Sequence, residues 1–345
     1  MNRRLSDPNL NLPTLADVAR AAGVSTATVS RCLNSPAQVQ QATRDRVLKA
    51  VAALGYSPNF GARALAARRT GTIGAIIPTM ENAIFARAIQ AFQEELHLSG
   101  VTLLVASSSY SPQNEADQIR TLVARGADAL LLIGHDRDPD IYAFLEQHGV
   151  PVLVSWAYDS TQARASIGFD NRHAMVALAS EVLRLGHRRI GMISAVAAGN
   201  DRARDRIKGV RAALHDHGLD PTTLRLIETP YSIANGAEAM AQLMAAPTPP
   251  TAVICGNDVL AVGALQMARN QGLRVPEDVS ITGFDDIELA TVVDPPLTTV
   301  HVPHREMGRE AARMLVSMLS GTAPPLPVCL ETEFCPRGTL SAPPE

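Results

Sequence analysis

From Gly71 onward, short runs rich in Val, Ile and Leu alternate with stretches of helical period, and this alternation restricts the chain more than any other feature. The runs are Thr72–Ile77, 101–105, Ala129–Ile133, 152–154, 189–193, Ala252–Cys255 and 279–282, with helical stretches such as 83–98 and 114–125 between them. Strands that are apolar on both faces and separated by helices form parallel sheets covered by helices on either side. A chain of 345 residues is too long for one ordinary domain, so two or three compact units are expected.

Ligands of open α/β sheets sit beyond the carboxyl ends of the strands. That rule selects the segment 78–85 after the first strand and Ser155 and Trp156 after the fourth. It also selects the loop leading to Arg206, Tyr231 after the 224–228 run, Asn257 and Asp258, and Phe284, Asp285 and Asp286. Apolar, aromatic, Arg, Asn and Asp groups converge there, which suits a polyhydroxylated or otherwise polar small molecule: Arg and Asp for hydroxyls, rings for C–H faces. Arg202 adds a second cation near Arg206, and two arginines would suit a carboxylate, so a sugar acid is expected beside sugars. Asn257 and Asp258 have a structural alternative as the cap of the following helix.

The N-terminal 70 residues differ in kind. They hold ten Lys or Arg against three acids, a net charge of +7, while the whole chain carries −3. A basic head on an acidic body suggests a polyanionic partner for the head. Leu15, Val18, Ala19 and Ala22 share one helical face, and Gly23 supplies a sharp turn. Ser25 or Thr26 can then cap a second helix, with Val29 directed inward. A third helix over Gln41–Leu54 offers Val47, Leu48, Val51 and Leu54 as the closing seam. This is a helix-turn-helix pattern whose second helix presents Thr26, Ala27, Ser30 and Arg31 outward, with Arg31 placed for a bidentate pair with guanine.

The segments TLADVARAAGVSTATVSRCLN, TRDRVLKAVAALGYSPN and the stretch from Gly55 to Ala66 resemble the lactose/galactose-repressor (LacI/GalR) family, over about residues 14–339. The resemblance implies a multi-domain chain: an N-terminal all-α helix-turn-helix head plus an α/β periplasmic-binding-protein-like core of two Rossmann-like parallel-sheet lobes. The implied boundaries are 1–56 for the head, 57–70 for a hinge, 71–169 with 299–323 for the first lobe, and 170–298 with 324–345 for the second. It implies DNA contacts from Thr14, Ser25, Thr26, Ala27, Thr28, Ser30, Arg31, Asn34 and Tyr56. In the hinge it adds Asn59, Ala62, Arg63 and Leu65, the leucine wedging into the minor groove. It implies effector contacts from Phe85, Trp156, Arg206, Tyr231, Asn257 and Asp285, with Asn82, Ser155 and Arg202 added as neighbours. Asn82-Ala83-Ile84-Phe85 departs from the family's frequent Asn-Pro-Phe-Phe, and Gly168–Asn171 (GFDN) resembles the gluconate-regulator branch.

The expected function is a transcriptional regulator, of the repressor type, for carbohydrate or sugar-acid genes. Its expected partners are a palindromic duplex operator, a small-molecule effector and a second copy of the chain. Lobe closure about crossovers near 169–171 and 297–300 would link effector to operator, with the sign of the response left open. A purine-responsive regulator and a ligand-binding transport receptor are the alternatives; the receptor needs a secretion signal and no basic head. No nucleotide-binding glycine motif or Gly-x-Ser-x-Gly elbow is present, and no enzyme activity or cofactor is expected. His215-Asp216-His217 reads as an exposed helix end rather than a metal site. The sequence MNRRLSDPNLNLP lacks an apolar stretch, and Cys32, Cys255, Cys329 and Cys335 have no paired spacing, so a cytoplasmic protein without membrane contact is expected. The short stretch after Thr339 has no leucine heptads, so a dimer is expected rather than a tail-linked tetramer.

Overall fold

The computed structural model describes residues 13–57, 69–81, 83–161, 164–321 and 326–344. Its chain divides into two compact units, 1–70 and 71–345.

In the first unit three helices, α1 (Leu15–Ala22), α2 (Thr26–Asn34) and α3 (Gln41–Leu54), enclose a small core of Val18, Ala19, Ala22, Val29, Cys32, Val47 and Ala50. Thr14 and Asp17 cap α1 reciprocally: the Asp17 amide donates to Thr14 Oγ1 at 3.3 Å and the Thr14 amide to Asp17 Oδ2 at 3.0 Å. Gly23 ends the helix at φ +65°, a left-handed conformation that other residues adopt only at a cost. Ser25, not Thr26, caps α2, its hydroxyl accepting from the Thr28 amide at 3.1 Å. The expected seam on α3 is corrected in part. Val47 is fully buried and Val51 packs against the core, but Leu48 and Leu54 are exposed and Ala50 takes an inner position. Val47, Ala50 and Val51 share one face at i, i+3 and i+4, whereas Leu48 lies about 100° off that face and Leu54 ends the helix.

The second unit begins with a parallel sheet in the order β11-β5-β4-β3-β1-β2. Its strands are β1 (Thr72–Ile77), β2 (Thr102–Ser107), β3 (Ala129–Ile133), β4 (Val152–Ser155), β5 (Ser166–Gly168) and β11 (Val328–Cys329). Helices α4 (Ala86–Leu98), α5 (Pro112–Ala124) and α6 (Pro139–Gln147) connect them, and α12 (His304–Leu319) returns to pack on α4. The strand period of two sorts the core. Ile73, Ala75 and Ile77 pack with Phe92, Leu96 and Leu315, while Ile76, Leu130 and Leu132 pack with Ile119, Leu122, Ile141 and Leu145. Each of the Ile, Leu and Phe side chains contributes about 1.5–3 kcal/mol on burial.

A second parallel sheet has the order β7-β6-β8-β9: β6 (Ile190–Ser194), β7 (Arg225–Glu228), β8 (Ala252–Cys255) and β9 (Ser280–Thr282). Its helices are α7 (Asn171–Arg184), α8 (Asp201–Asp216), α9 (Ile233–Met244), α10 (Asp258–Asn270) and the short α11 (Leu289–Val292). Met240, Leu243, Leu260 and Ala264 cover one face and Leu178, Ile207, Val210 and Leu214 the other. Strand β10 (Thr299–His301) pairs antiparallel with β12 (Glu333–Cys335) as the chain returns between lobes. Val328 and Cys329 join the first sheet beside β5, although 324–345 was expected in the second lobe. The chain therefore crosses between lobes again, leaving β11 on the first and returning through β12. Residues 339–341 then bond to Ile281 and His187 of the second lobe.

Candidate functional site: the interlobe cavity and the exposed helix of the head

The carboxyl ends of both sheets face one small cavity, lined by Ile84, Phe85, Tyr110, Trp156, Arg202, Arg206, Tyr231 and Asp285. In this conformation it has room for about one water molecule, so a larger ligand needs the lobes to part. Six expected residues meet there: Phe85, Trp156, Arg202, Arg206, Tyr231 and Asp285. Tyr110 went unrecognised, although it follows β2 and the strand-end rule reaches it. Ser155 and Asn257 do not line the cavity. Ser155 is buried at the end of β4, and Asn257 caps α10 through Oδ1, which accepts from the Leu260 amide at 2.9 Å, while its Nδ2 has no partner among the described residues. Asn82 lies outside the described residues.

Each wall is held from behind. The rings of Phe85 and Trp156 meet edge to face with centroids 5.1 Å apart, and Tyr110 of the first lobe meets Tyr231 of the second at 5.7 Å. Trp156 sits at φ +63° with its carbonyl accepting from Asn171 Nδ2 at 2.9 Å. Three of the five non-glycine residues with positive φ among those described, Tyr110, Trp156 and Asp285, line this cavity. Backbone strain of about 1–3 kcal/mol per residue persists where surrounding structure enforces it, and functional sites are where it collects.

Arg206 is the central cation. Its Nε donates to Asn171 Oδ1 at 2.8 Å, Nη1 to the Gly256 carbonyl at 2.5 Å, and Nη2 to Asp285 Oδ1 at 3.4 Å. Its guanidinium carbon lies 3.9 Å from the ring centre of Phe284, a cation–π support that the sequence pattern did not signal. Arg202 Nη1 donates to Asp201 Oδ1 at 2.8 Å. Burial pushes the Asp285 carboxyl up to about 6, against the pull of Arg206 and Arg202. Burial also holds the His304 imidazole down to about 4, so it is neutral, with Nε2 donating to the Asp285 carbonyl at 3.1 Å. Asp258 is pushed up to about 8 by burial and by Asp285, and it lies behind the cavity, accepting from Thr299 Oγ1 at 2.6 Å. Two buried polar atoms of the cavity wall have no partner among the described residues: Asp285 Oδ2, an acceptor, and Trp156 Nε1, a donor.

The lobes touch beside the cavity. The His135 amide donates to Asp201 Oδ2 at 2.5 Å, and Arg204 binds Asp136 through two bonds of 2.6 and 2.8 Å. At Gly134 (φ +73°) a Cβ would lie 1.9 Å from Arg202 Nη1 and 2.4 Å from Asp201 Oδ1, so any other residue would strain the backbone and displace that buried pair.

In the head, α2 leaves Thr26, Ala27 and Arg31 exposed and Thr28 and Ser30 half-buried. Ser25 and Thr28 share a hydroxyl–hydroxyl bond of 2.9 Å, and the Thr14 hydroxyl donates to Asp17 at 2.7 Å, so these three serve the helix ends as well as any partner. Tyr56 is half-buried against the head's core. The side chain of Asn34, and Asn59, Ala62, Arg63 and Leu65 of the expected hinge, lie outside the described residues.

A three-helix head with an exposed second helix, followed by two parallel-sheet lobes around a polar cavity, defines the class: a helix-turn-helix regulator with a small-molecule-binding core. Residues 14–59 match the model for bacterial regulatory proteins of the lacI family, and residues 179–340 that for the periplasmic binding protein-like domain. The chain is 36% identical over 312 residues to the HTH-type transcriptional repressor CytR of Escherichia coli, covering 89% of this chain and 90% of that one. It is 34% identical to the repressor PurR of Vibrio atlanticus (89% and 92% covered) and 30% identical to catabolite control protein A of Priestia megaterium (89% and 92%). Among solved structures, a LacI-family regulator from Silicibacter pomeroyi superimposes with a TM-score of 0.85 at 28% identity (95% and 99% covered). The lac repressor dimer bound to operator and the anti-inducer ONPF gives 0.84 at 27% (96% and 99%). The chain belongs to the LacI family of bacterial regulators and is a DNA-binding transcriptional regulator. Among the described residues, no helix is long and apolar enough to cross a membrane.

Proposed function

We propose that this regulator represses transcription from a palindromic operator as a homodimer, and that a small polar effector in the interlobe cavity controls it. A single head covers half of a two-fold site, which calls for two copies. The solved lac repressor relative is a dimer on its operator. Thr26, Ala27, Ser30 and Arg31 are the base-reading residues of this proposal, with Arg31 on guanine. Phe85, Tyr110, Trp156, Arg202, Arg206, Tyr231 and Asp285 form the effector site. The protein acts by binding in the cytoplasm, with no chemical step, and effector closure of the lobes changes operator affinity by linkage.

The observation that carries this is the cavity itself: two unpartnered polar atoms, Asp285 Oδ2 and Trp156 Nε1, buried in the wall of a space shared by both lobes. Groups left so in a low-dielectric wall cost about 1–3 kcal/mol each until a ligand meets them. The test is a thermal-shift screen of sugars, sugar acids and nucleobases, followed by operator binding with each hit. An effector should raise the melting temperature and change operator affinity in wild type, with both effects lost in Asp285→Ala while operator binding itself remains. A hit whose effect survives Asp285→Ala unchanged removes the cavity from the scheme.

A further inference from the structure

We propose that Asp286 is a positioning residue for the interlobe site: it ties the strained turn that carries Asp285 to both strands returning between the lobes, so that Asp285 keeps its place in the cavity wall only while those strands hold the turn. The inference rests on the reading of the cavity as the effector site, but its test needs no effector. Asp285 and Asp286 are consecutive non-glycine residues at positive φ, +101° and +52°. Such conformations cost about 1–3 kcal/mol each and persist only where surrounding contacts impose them. Part of the hold is backbone. The Gly283 amide donates to the Thr298 carbonyl at 2.9 Å and the Asp285 amide to the Val300 carbonyl at 3.0 Å, which fastens one edge of the turn to β10. His304 Nε2 donates to the Asp285 carbonyl at 3.1 Å.

The side chain of Asp286 supplies the rest. It does not line the cavity, and its two oxygens are divided between the returning strands. Oδ2 meets His301 Nδ1 of β10 at 2.9 Å, and Oδ1 accepts from Nη2 of Arg337, just beyond β12, at 2.6 Å. Arg337 is itself fixed to the chain before β10: its amide donates to Thr298 Oγ1 at 2.9 Å and its Nη1 to the Leu297 carbonyl at 3.0 Å. One carboxylate thus closes a ring of bonds through the turn, β10 and the segment after β12. The carboxylate is 15% exposed, so these charge-assisted bonds are little screened by solvent. Burial by itself raises the Asp286 carboxyl, but the bonds from Arg337 and His301 outweigh it and hold the group below its ordinary value. Asp258 and Cys335 are the other titratable groups beside it. A movement of the lobes that shifts either returning strand is carried through Asp286 to Asp285, whose carboxylate faces Arg206 at 3.4 Å.

Trp156, the one tryptophan of the chain, lines the same cavity as Asp285 and gives a readout without any ligand. Its fluorescence in the full-length protein is followed from about pH 4 to 8. The inflection due to Asp285 is assigned by its loss in Asp285→Asn, and thermal unfolding reports whether each variant is folded. In wild type the midpoint should lie at about 6. Asp286→Ala should release the turn toward solvent and lower that midpoint by at least about one pH unit. Asp286→Asn, which can still accept from Arg337 and donate to His301, should keep it. A folded Asp286→Ala whose midpoint stays within about 0.3 unit of wild type overturns the inference even if its melting temperature falls, because the cluster then only stabilises the fold. If Asp286→Ala does not fold, Arg337→Met and His301→Phe decide, each removing one of the two anchors: a lowered midpoint in either supports the inference, and an unmoved one in both overturns it. A wild-type curve with no inflection that Asp285→Asn removes overturns it as well. None of these outcomes bears on whether the cavity holds an effector, which the thermal-shift screen decides separately.

Discussion

Asp136 of the first lobe and Arg204 of the second form a bidentate ion pair, with N–O distances of 2.6 and 2.8 Å, where the two lobes touch. The side chains are 40% and 31% exposed, which limits the pair's worth to about 1 kcal/mol or less. Asp136→Asn and Arg204→Gln should each weaken effector binding by no more than about fivefold, and the double variant no further than the worse single one. Gly134 is a steric matter and should weigh more. Gly134→Ala drives a methyl group into Arg202 and Asp201, so effector affinity should fall at least about tenfold with the lobes propped apart. Calorimetry on the three single variants ranks them; equal losses would contradict the steric account.

Effector affinity should depend on pH through Asp285. Its carboxyl is raised to about 6, first by burial, against Arg206 and Arg202. Because the folded value lies above the ordinary one, the stability linked to its protonated form is fully present below about pH 4 and is lost as pH rises through about 6. A ligand hydroxyl needs the ionised form, so effector affinity should move the other way and rise through the same midpoint. The groups that face Asp285 are Arg202, Arg206, Asp258, His304, Tyr110 and Tyr231. Titrations between about pH 5 and 8 should show this inflection in wild type and lose it in Asp285→Asn.

On the DNA side, Arg31→Ala should cost about 1–3 kcal/mol of operator affinity and relax the choice of base at one position in each half-site. Arg31 is exposed on α2 and is not part of the head's core, so the fold should be unaffected. A uniform loss across all sequences, with only a smaller salt slope, would make it a phosphate contact instead.

Val47→Ala should destabilise the head by about 2 kcal/mol, from lost burial plus the space left behind. The head's core is small, so that loss is a large fraction of its stability. Because the head is a separate compact unit, operator binding should fall at growth temperature while effector binding in the core is retained. Loss of both together would show that the two units unfold as one.

Much of this was written locally. Capping by Thr14 and Ser25, the turn at Gly23, the strand runs and the strand-end position of Phe85, Trp156, Arg206, Tyr231 and Asp285 depend on neighbours within a few residues or on the period of burial, and the amino-acid order determined them. Folding in three dimensions decided the rest. Leu48 and Leu54 are exposed because the inner face of α3 is taken by Val47, Ala50 and Val51, with Leu54 at the helix end. Val328 and Cys329 pair with β5 because a sheet edge accepts whichever strand returns beside it. The charge of the cavity was also beyond local pattern. Two arginines look like an anion site until Asp285, 79 positions away from Arg206, is seen to face it; Asp201 stands next to Arg202 in sequence, and only its bond to His135 of the other lobe is hidden there. Electrostatic pairing is set by distance through space, and sequence order records distance only along the chain.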